Sequence, residues 1–354
     1  MSQYTSLLPF SYMVPTFYPT SPGNVQPMNG APQVVLSDPD LQARAQRLAN
    51  VLFWTAQTYR NQEGMQDDST LKVFIAPEFY FRKASPSEVS AYGFQLGTSF
   101  GSYPEASRQE LAAALDMVVR GTPLFKDWTI VAGSICSALP RQNPGDRLNL
   151  LNTAIMLRGL RDTPDNSAQY VLMEKHYISN IDGPSASAHA NQDPTTVYSF
   201  DLNPEQHWDN LIFWDGMSVG LEVCLDHSEQ VVLNAVTELE RMMGPAAGKL
   251  SLQLVTSCGM SLVDEAVAVV DGALVMLTDG MSQVASGLRE PRFQVGRFDA
   301  ETGVVTTFGN SEFDFQELPA NASYQLLDYA RGEYVSKKRR QGVWASKSPL
   351  PLYD

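Results

Sequence analysis

Between Leu211 and Cys224 two apolar runs, Leu211–Trp214 and Met217–Cys224, are separated only by Asp215-Gly216. Asp-Gly suits a two-residue hairpin turn, whose central residues must take positive φ. Val231–Met243 then carries a helical apolar period, and Leu252–Thr256 is again a short buried run. A hairpin feeding a strand–helix–strand passage requires antiparallel and parallel pairs in one sheet. The expected fold is therefore α/β with mixed sheets.

The rest of the chain reads compatibly. Asp38 is placed to cap a helix with Pro39 at its first position, and Leu41, Ala45, Leu48, Ala49, Leu52, Phe53, Ala56 and Tyr59 follow on one stripe. Leu71–Ile75 reads as a buried strand closed by Pro77-Glu78. A second helix is expected from about Glu105 to Arg120, stopped by Gly121-Thr122-Pro123. Trp128–Ile135, Thr153–Leu157, Tyr170–Met173 and Ala273–Thr278 are further strands. Residues 19–36 read as an extended connection rich in Pro, Gly, Asn and Gln, and residues 82–104 are irregular. With no internal repeat, one domain is expected over residues 1–310, with an N-terminal extension 1–36. Residues 311–354 lack periodicity and read as a tail.

Composition narrows the function. At 354 residues and 44% hydrophobic content the chain can bury a sizeable core. Three cysteines, Cys136, Cys224 and Cys258, make no disulfide framework and point to a reducing compartment. The first ten residues carry neither a basic region nor a sustained apolar one, so a cytoplasmic protein is expected. No apolar stretch reaches the roughly 18 to 20 residues of a membrane span. A net charge of −14 argues against nucleic-acid or anionic-membrane partners, and Lys337-Lys338-Arg339-Arg340 reads as a solvated turn. The four histidines show no i,i+4 ligand pair, the cysteines no CxxC, and the chain neither a P-loop nor a dinucleotide fingerprint. No metal or cofactor is expected.

Three short segments close apolar runs and carry chemistry: Ala76-Pro77-Glu78-Phe79, Glu174-Lys175-His176-Tyr177, and Gly220-Leu221-Glu222-Val223-Cys224-Leu225-Asp226. They supply a carboxylate, an ammonium and a thiol. Alone, Cys224 reads equally as a small buried hydrophobe, Glu78 as a loop carboxylate and Lys175 as a solvated edge residue. Glu78 among Phe79, Tyr80 and Phe81 is costly to bury as an anion, which suits a base. Cys224 at a strand-to-helix junction can project into a cleft. Glu222 shares its strand face with Cys224. It is either a carboxylate hydrogen-bonded inside the fold or a neighbour of the thiolate.

In this order and setting the segments resemble the nitrilase superfamily of carbon–nitrogen hydrolases, over roughly residues 35–310. The Asp215-Gly216 hairpin and the Ser257-Cys258 strand end fit the same resemblance. It implies a four-layer α-β-β-α sandwich, and a Cys–Glu–Lys mechanism without cofactor. Glu78 would be the base, Cys224 the nucleophile and Lys175 the cation that stabilises the developing anion. Phe79, Tyr80, Leu225, Asp226 and Cys258 become candidates for lining the substrate, with the Leu225 backbone N–H as a second donor. Leu225-Asp226 after the cysteine fits amidases better than nitrilases. The implied substrate is a small amide, with a nitrile or N-carbamoyl compound, an acyl transfer to an amine, and a catalytically silent ligand-binding homologue as alternatives. The resemblance also implies a homodimer or higher homo-oligomer, with a C-terminal tail crossing its interface.

Two departures stand out. No glutamate lies between Lys175 and Glu205, where the family carries another; Asp182 and Asp193 are candidates to take its place. The Pro-Glu that usually follows the cysteine is replaced by His227-Ser228-Glu229-Gln230. Glu78 and Lys175 lie 97 positions apart, a long spacing that implies an insertion within 82–104 or 139–149.

Overall fold

The computed structural model describes residues 2–16, 23–83, 102–138, 148–162, 169–177, 179, 196–198, 208–245, 247–281, 283–284, 287–288, 292–319, 326–328, 333–335 and 341–353. Helix α1 spans Pro39–Thr58, and the Asp38 carboxylate caps it by accepting from the N–H of Asp40 at 2.9 Å and of Leu41 at 3.1 Å. Helix α2, Ser107–Arg120, begins later than the sequence predicts. Tyr103–Pro104 still pairs with a strand, and the Glu105 N–H bonds Ala138 O at 2.9 Å, which holds the chain against the sheet to that point.

Two mixed sheets carry the fold. The larger one contains β1 Ser6–Met13, β2 Thr70–Ile75, β3 Trp128–Ala138, β4 Leu148–Arg158 and β5 Tyr170–Glu174. The smaller contains β6 Leu211–Trp214, β7 Met217–Val223, β8 Leu250–Ser257, β9 Val269–Asp279, β10 Arg292–Asp299 and β11 Val304–Thr307. Two late strands, β12 Phe313–Glu317 and β13 Gly342–Ser346, return to the larger sheet, whose order is β12-β13-β1-β2-β3-β4-β5. The smaller sheet runs β11-β10-β9-β8-β7-β6. Each has a parallel centre, β1-β2-β3 in one and β7-β8-β9 in the other, flanked by antiparallel strands.

The layers follow from period-2 alternation. On β2, Leu71, Val73 and Ile75 face the smaller sheet, where Leu252 and Leu254 of β8 and Leu274 and Met276 of β9 meet them. Phe74 faces the other way, into a cluster with α1 and α2. Val275 of β9 likewise turns outward onto Val232, Ala235 and Val236 of the third long helix. The result is an α-β-β-α sandwich. The two sheets are also bonded where their parallel strands end: Thr256 Oγ1 donates to Ala76 O at 2.9 Å, and the Glu78 N–H to Ser257 O at 3.2 Å. Among the described residues no helix is long and apolar enough to cross a membrane.

The structure differs from the sequence reading at both ends. Residues 1–36 are more than an extension, because β1 lies in the middle of the larger sheet. Its run SLLPFSYM hides this, since a proline and two serines break both the apolar run and any alternation. Residues 311–354 are more than a tail, since β12 and β13 extend that sheet beside β1. Most of the two proposed insertion windows, residues 84–101 and 139–147, lies outside the described residues, as do Asp182, Asp193 and Lys337–Arg340.

Candidate active site

Glu78 follows the C-terminal end of β2. The backbone approaches β3 there because Gly133, at φ 82°, sits where a Cβ would collide with Pro77 O. Ser134 next to it accepts the Phe79 N–H on its Oγ at 2.9 Å. Phe79 itself takes φ 63°, a left-handed conformation that costs a bulky residue about 1–3 kcal/mol. This turn drives Glu78 into the interior with no exposure.

The Glu78 carboxylate is built into a junction. Its Oε1 accepts from Lys175 Nζ at 2.9 Å and from Asn152 Nδ2 at 2.8 Å. Asn152 also fixes Lys175 through its own backbone, since the Lys175 N–H donates to Asn152 O at 2.8 Å. Lys175 follows β5 directly, and its ammonium also reaches Ser179 Oγ at 3.4 Å and lies 5.7 Å from the Phe79 ring centre. Neither side chain of the pair is exposed. A dry ion pair needs further hydrogen bonds to offset its desolvation, and Asn152 supplies one.

Cys224 ends β7 at φ 52°, ψ −109°, and opens the short helix α3, Leu225–Ser228. A non-glycine residue held so is strained, and the strain aims the side chain off the strand end. Its N–H bonds Thr256 O at 2.9 Å, and its Sγ lies 4.0 Å from Cys258 O. The end of β8 thus holds both partners: Thr256 O receives Cys224, and Ser257 O receives Glu78. Glu78 and Cys224 follow the C-terminal ends of central parallel strands, where α/β sheets bind ligands, and Lys175, just after the edge strand β5, reaches Glu78 there.

The other candidates divide. Cys258 is buried with Phe79 and Cys136, and Met281 packs at the edge of the group. Burial pushes its thiol well above the ordinary range, the Asp279 and Glu78 carboxylates add to this, and Arg82 opposes it. Phe79 is covered by Arg82, whose Cζ stands 3.5 Å from the ring centre. Leu225 keeps partial exposure beside Cys224. Two expectations are corrected. Tyr80 packs into the helix-facing cluster against Tyr12 and Phe81, with ring centres 5.8 and 4.9 Å away, because its place in the turn points it away from the cysteine. Asp226 is buried and spends its carboxylate on backbone, accepting from the N–H of His176 and Tyr177. Burial pushes its carboxyl up, with Lys175 and those two N–H groups pulling it down.

Glu222 is hydrogen-bonded inside the fold. Its Oε2 faces His227 Nδ1 at 2.6 Å and accepts from Gln253 Nε2 at 2.8 Å; its Oε1 accepts the Val232 N–H at 3.0 Å. His227 Nε2 accepts the Val263 N–H at 3.0 Å, which leaves the ring proton on Nδ1 toward Glu222. This network seats α3 and the start of helix α4, Val231–Met243, beneath the cysteine. Sequence reasoning missed Asn152, Arg82 and Asp279. Asp279 Oδ2 accepts from Gly259 N at 2.6 Å and Met260 N at 2.8 Å, shaping the turn whose Cys258 O faces the thiol. For Asn152 and Asp279 the available signal was a polar residue inside or ending an apolar strand. Among the described residues no group of three His, Cys, Asp or Glu side chains is placed to hold a metal.

Fold and site together define a class: a four-layer sandwich carrying a buried carboxylate–ammonium pair beside a cysteine at a strained strand end. No family model matches the chain, and no curated protein matches it. Solved structures do. A variant of the amidase from Nesterenkonia sp. AN1, with acrylamide added at its active-site cysteine, is similar at TM-score 0.42 and 14% identity, over 97% of this chain and 92% of that one. Another variant of the Nesterenkonia AN1 amidase, described as from the nitrilase superfamily, gives TM-score 0.41 and 12% identity over 99% and 91%. A glutamine-dependent NAD+ synthetase from Acinetobacter baumannii gives TM-score 0.39 and 11% identity, over 86% of this chain and 48% of that one.

Proposed function

We propose that this protein is a carbon–nitrogen hydrolase that cleaves a small amide through a thioester on Cys224. The observation that carries this reading is the Lys175–Glu78 bond at 2.9 Å, with Glu78 and Cys224 both received by the end of β8, at Ser257 O and Thr256 O. Free thiols ionise near pH 8.5, so a neutral-pH nucleophile needs a base beside it. Glu78 is that base.

Glu78 takes the thiol proton as Cys224 Sγ bonds to the amide carbon and the carbonyl π pair moves onto oxygen. Lys175 and the backbone N–H of Leu225, at the open start of α3, donate to that oxyanion. Its collapse breaks the C–N bond, and the amine leaves with the proton held by Glu78. Glu78 next deprotonates water, which attacks the thioester carbon. The C–S bond breaks, the proton returns to Cys224 and the carboxylic acid departs. Glu78 moves every proton, Cys224 carries the acyl group, and Lys175 with the Leu225 N–H holds the oxyanion, so the scheme calls on no cofactor. A homo-oligomer, carried over from the family resemblance, and a cytoplasmic location, suggested by three cysteines that make no disulfide framework, complete the reading.

The test is ammonia or amine release from amides, nitriles and N-carbamoyl compounds, by wild type beside Cys224→Ala. Release from amides that vanishes in the variant supports an amidase. Release only from nitriles or carbamoyl compounds moves the substrate class. No release by a folded protein whose Cys224 does not alkylate preferentially points to the silent homologue.

A further inference from the structure

We infer that Asp226 is a positioning residue that ties the Lys175 strap to the turn of the nucleophile and so sets where the ammonium stands relative to Cys224. This rests on the proposed Cys–Glu–Lys reading. Asp226 lies two residues beyond Cys224 on α3, part of the smaller-sheet half of the molecule. Its carboxylate crosses to the other half: Oδ1 accepts the His176 N–H at 3.0 Å and the Tyr177 N–H at 2.8 Å, and Oδ2 lies 3.0 Å from the same His176 N–H. Those are the two residues directly after Lys175. On its upstream side Lys175 is held by Asn152 O. The strap is therefore pinned to the larger sheet before the lysine and to the nucleophile's turn after it.

The chemistry explains why a carboxylate is placed there. Two successive N–H groups leaving a strand end converge on one acceptor, and the planar pair of carboxylate oxygens captures both. A fully buried carboxyl is costly, and Asp226 is fully buried. An oxyanion donor works only within a few tenths of an ångström of its place. A bond linking donor strap and nucleophile turn directly provides that registration. The charged groups acting on Asp226 are Lys175, which favours its anion, and Glu222, which opposes it.

The experiment combines steady-state kinetics with iodoacetamide alkylation of Cys224 across pH, on wild type, Asp226→Ala, Asp226→Asn, Lys175→Ala and the Lys175→Ala/Asp226→Ala double variant. Asp226→Ala should lower kcat about a hundredfold with KM within about threefold, and Asp226→Asn, which keeps one carbonyl acceptor, should recover at least about tenfold of that. The double variant should be no slower than Lys175→Ala alone, because both changes remove one function. The pH midpoint of Cys224 alkylation in Asp226→Ala should move toward that of Lys175→Ala. Multiplying losses in the double variant, or a folded Asp226→Ala with wild-type alkylation and kcat, would overturn the inference. If wild type hydrolyses nothing, the amidase reading fails by itself, and the alkylation profiles still decide whether Asp226 acts through Lys175.

Discussion

Lys175 Nζ stands 2.9 Å from Glu78 Oε1, and both side chains are sealed from solvent. Removing one partner strands the other. Lys175→Ala is expected to cost about 3–5 kcal/mol of stability and about 10²–10³ in kcat. Glu78→Gln keeps an oxygen that can accept from Asn152 and Lys175, so it should cost less stability while abolishing turnover. Urea unfolding beside kcat measurements checks both. Equal stability losses in the two variants would contradict the paired-burial account.

Cys224 holds φ 52°, where a side chain is strained and glycine is not. Both Cys224→Ala and Cys224→Gly should be inactive. The glycine variant should nonetheless be more stable than the alanine variant by about 1 kcal/mol or more, read as a higher urea midpoint. A glycine variant that is the less stable of the two would remove the strain argument.

Asn152 donates to the same Glu78 oxygen as Lys175. Asn152→Ala removes a hydrogen bond to a charged group, about 1.5–3 kcal/mol, and should slow kcat/KM about ten- to a hundredfold. Asn152→Asp instead sets a second carboxylate against Glu78, which raises the pKa of the pair. The acid limb of the pH profile of kcat/KM should then move to higher pH.

Cys258 predicts a pH dependence of stability. Burial first, then Asp279 and Glu78, push its thiol up, so the folded chain keeps a proton that the unfolded chain releases near pH 8.5. The stabilisation is complete below that pH. It is lost as pH rises toward the folded value, by at most about 1.36 kcal/mol per unit. The urea midpoint of wild type should fall faster between pH 8 and 10 than that of Cys258→Ala. At pH 8 iodoacetamide should label Cys224 and spare Cys258.

Much of the candidate site was legible because Glu78, Lys175 and Cys224 each close an apolar run, and their order carries a signal that none of them carries alone. The Asp215-Gly216 hairpin was legible because two positive-φ residues admit few sequences, and Asp215 indeed takes φ 55°. Asn152 was not, since an asparagine inside a strand gives no clue to which face it occupies. Asp226 read as a substrate residue because it lies two positions after Cys224, the proposed nucleophile. Its partners, His176 and Tyr177, lie 50 and 49 positions away, and no local pattern encodes that meeting. The ends of the chain failed similarly: β1 and β13 are recognisable as strands mainly by their pairing with each other, which sequence separation conceals.

The bond from Thr256 to Ala76 joins two sheets that own different parts of the chemistry. The larger sheet carries Glu78 and Lys175, the proposed base and cation, and the smaller carries the Cys224 thiol. A half-folded chain therefore carries an ordinary cysteine and a carboxylate with nothing to activate. On the proposed mechanism, reactivity needs the two halves docked in register, so turnover would itself be a readout of completed assembly.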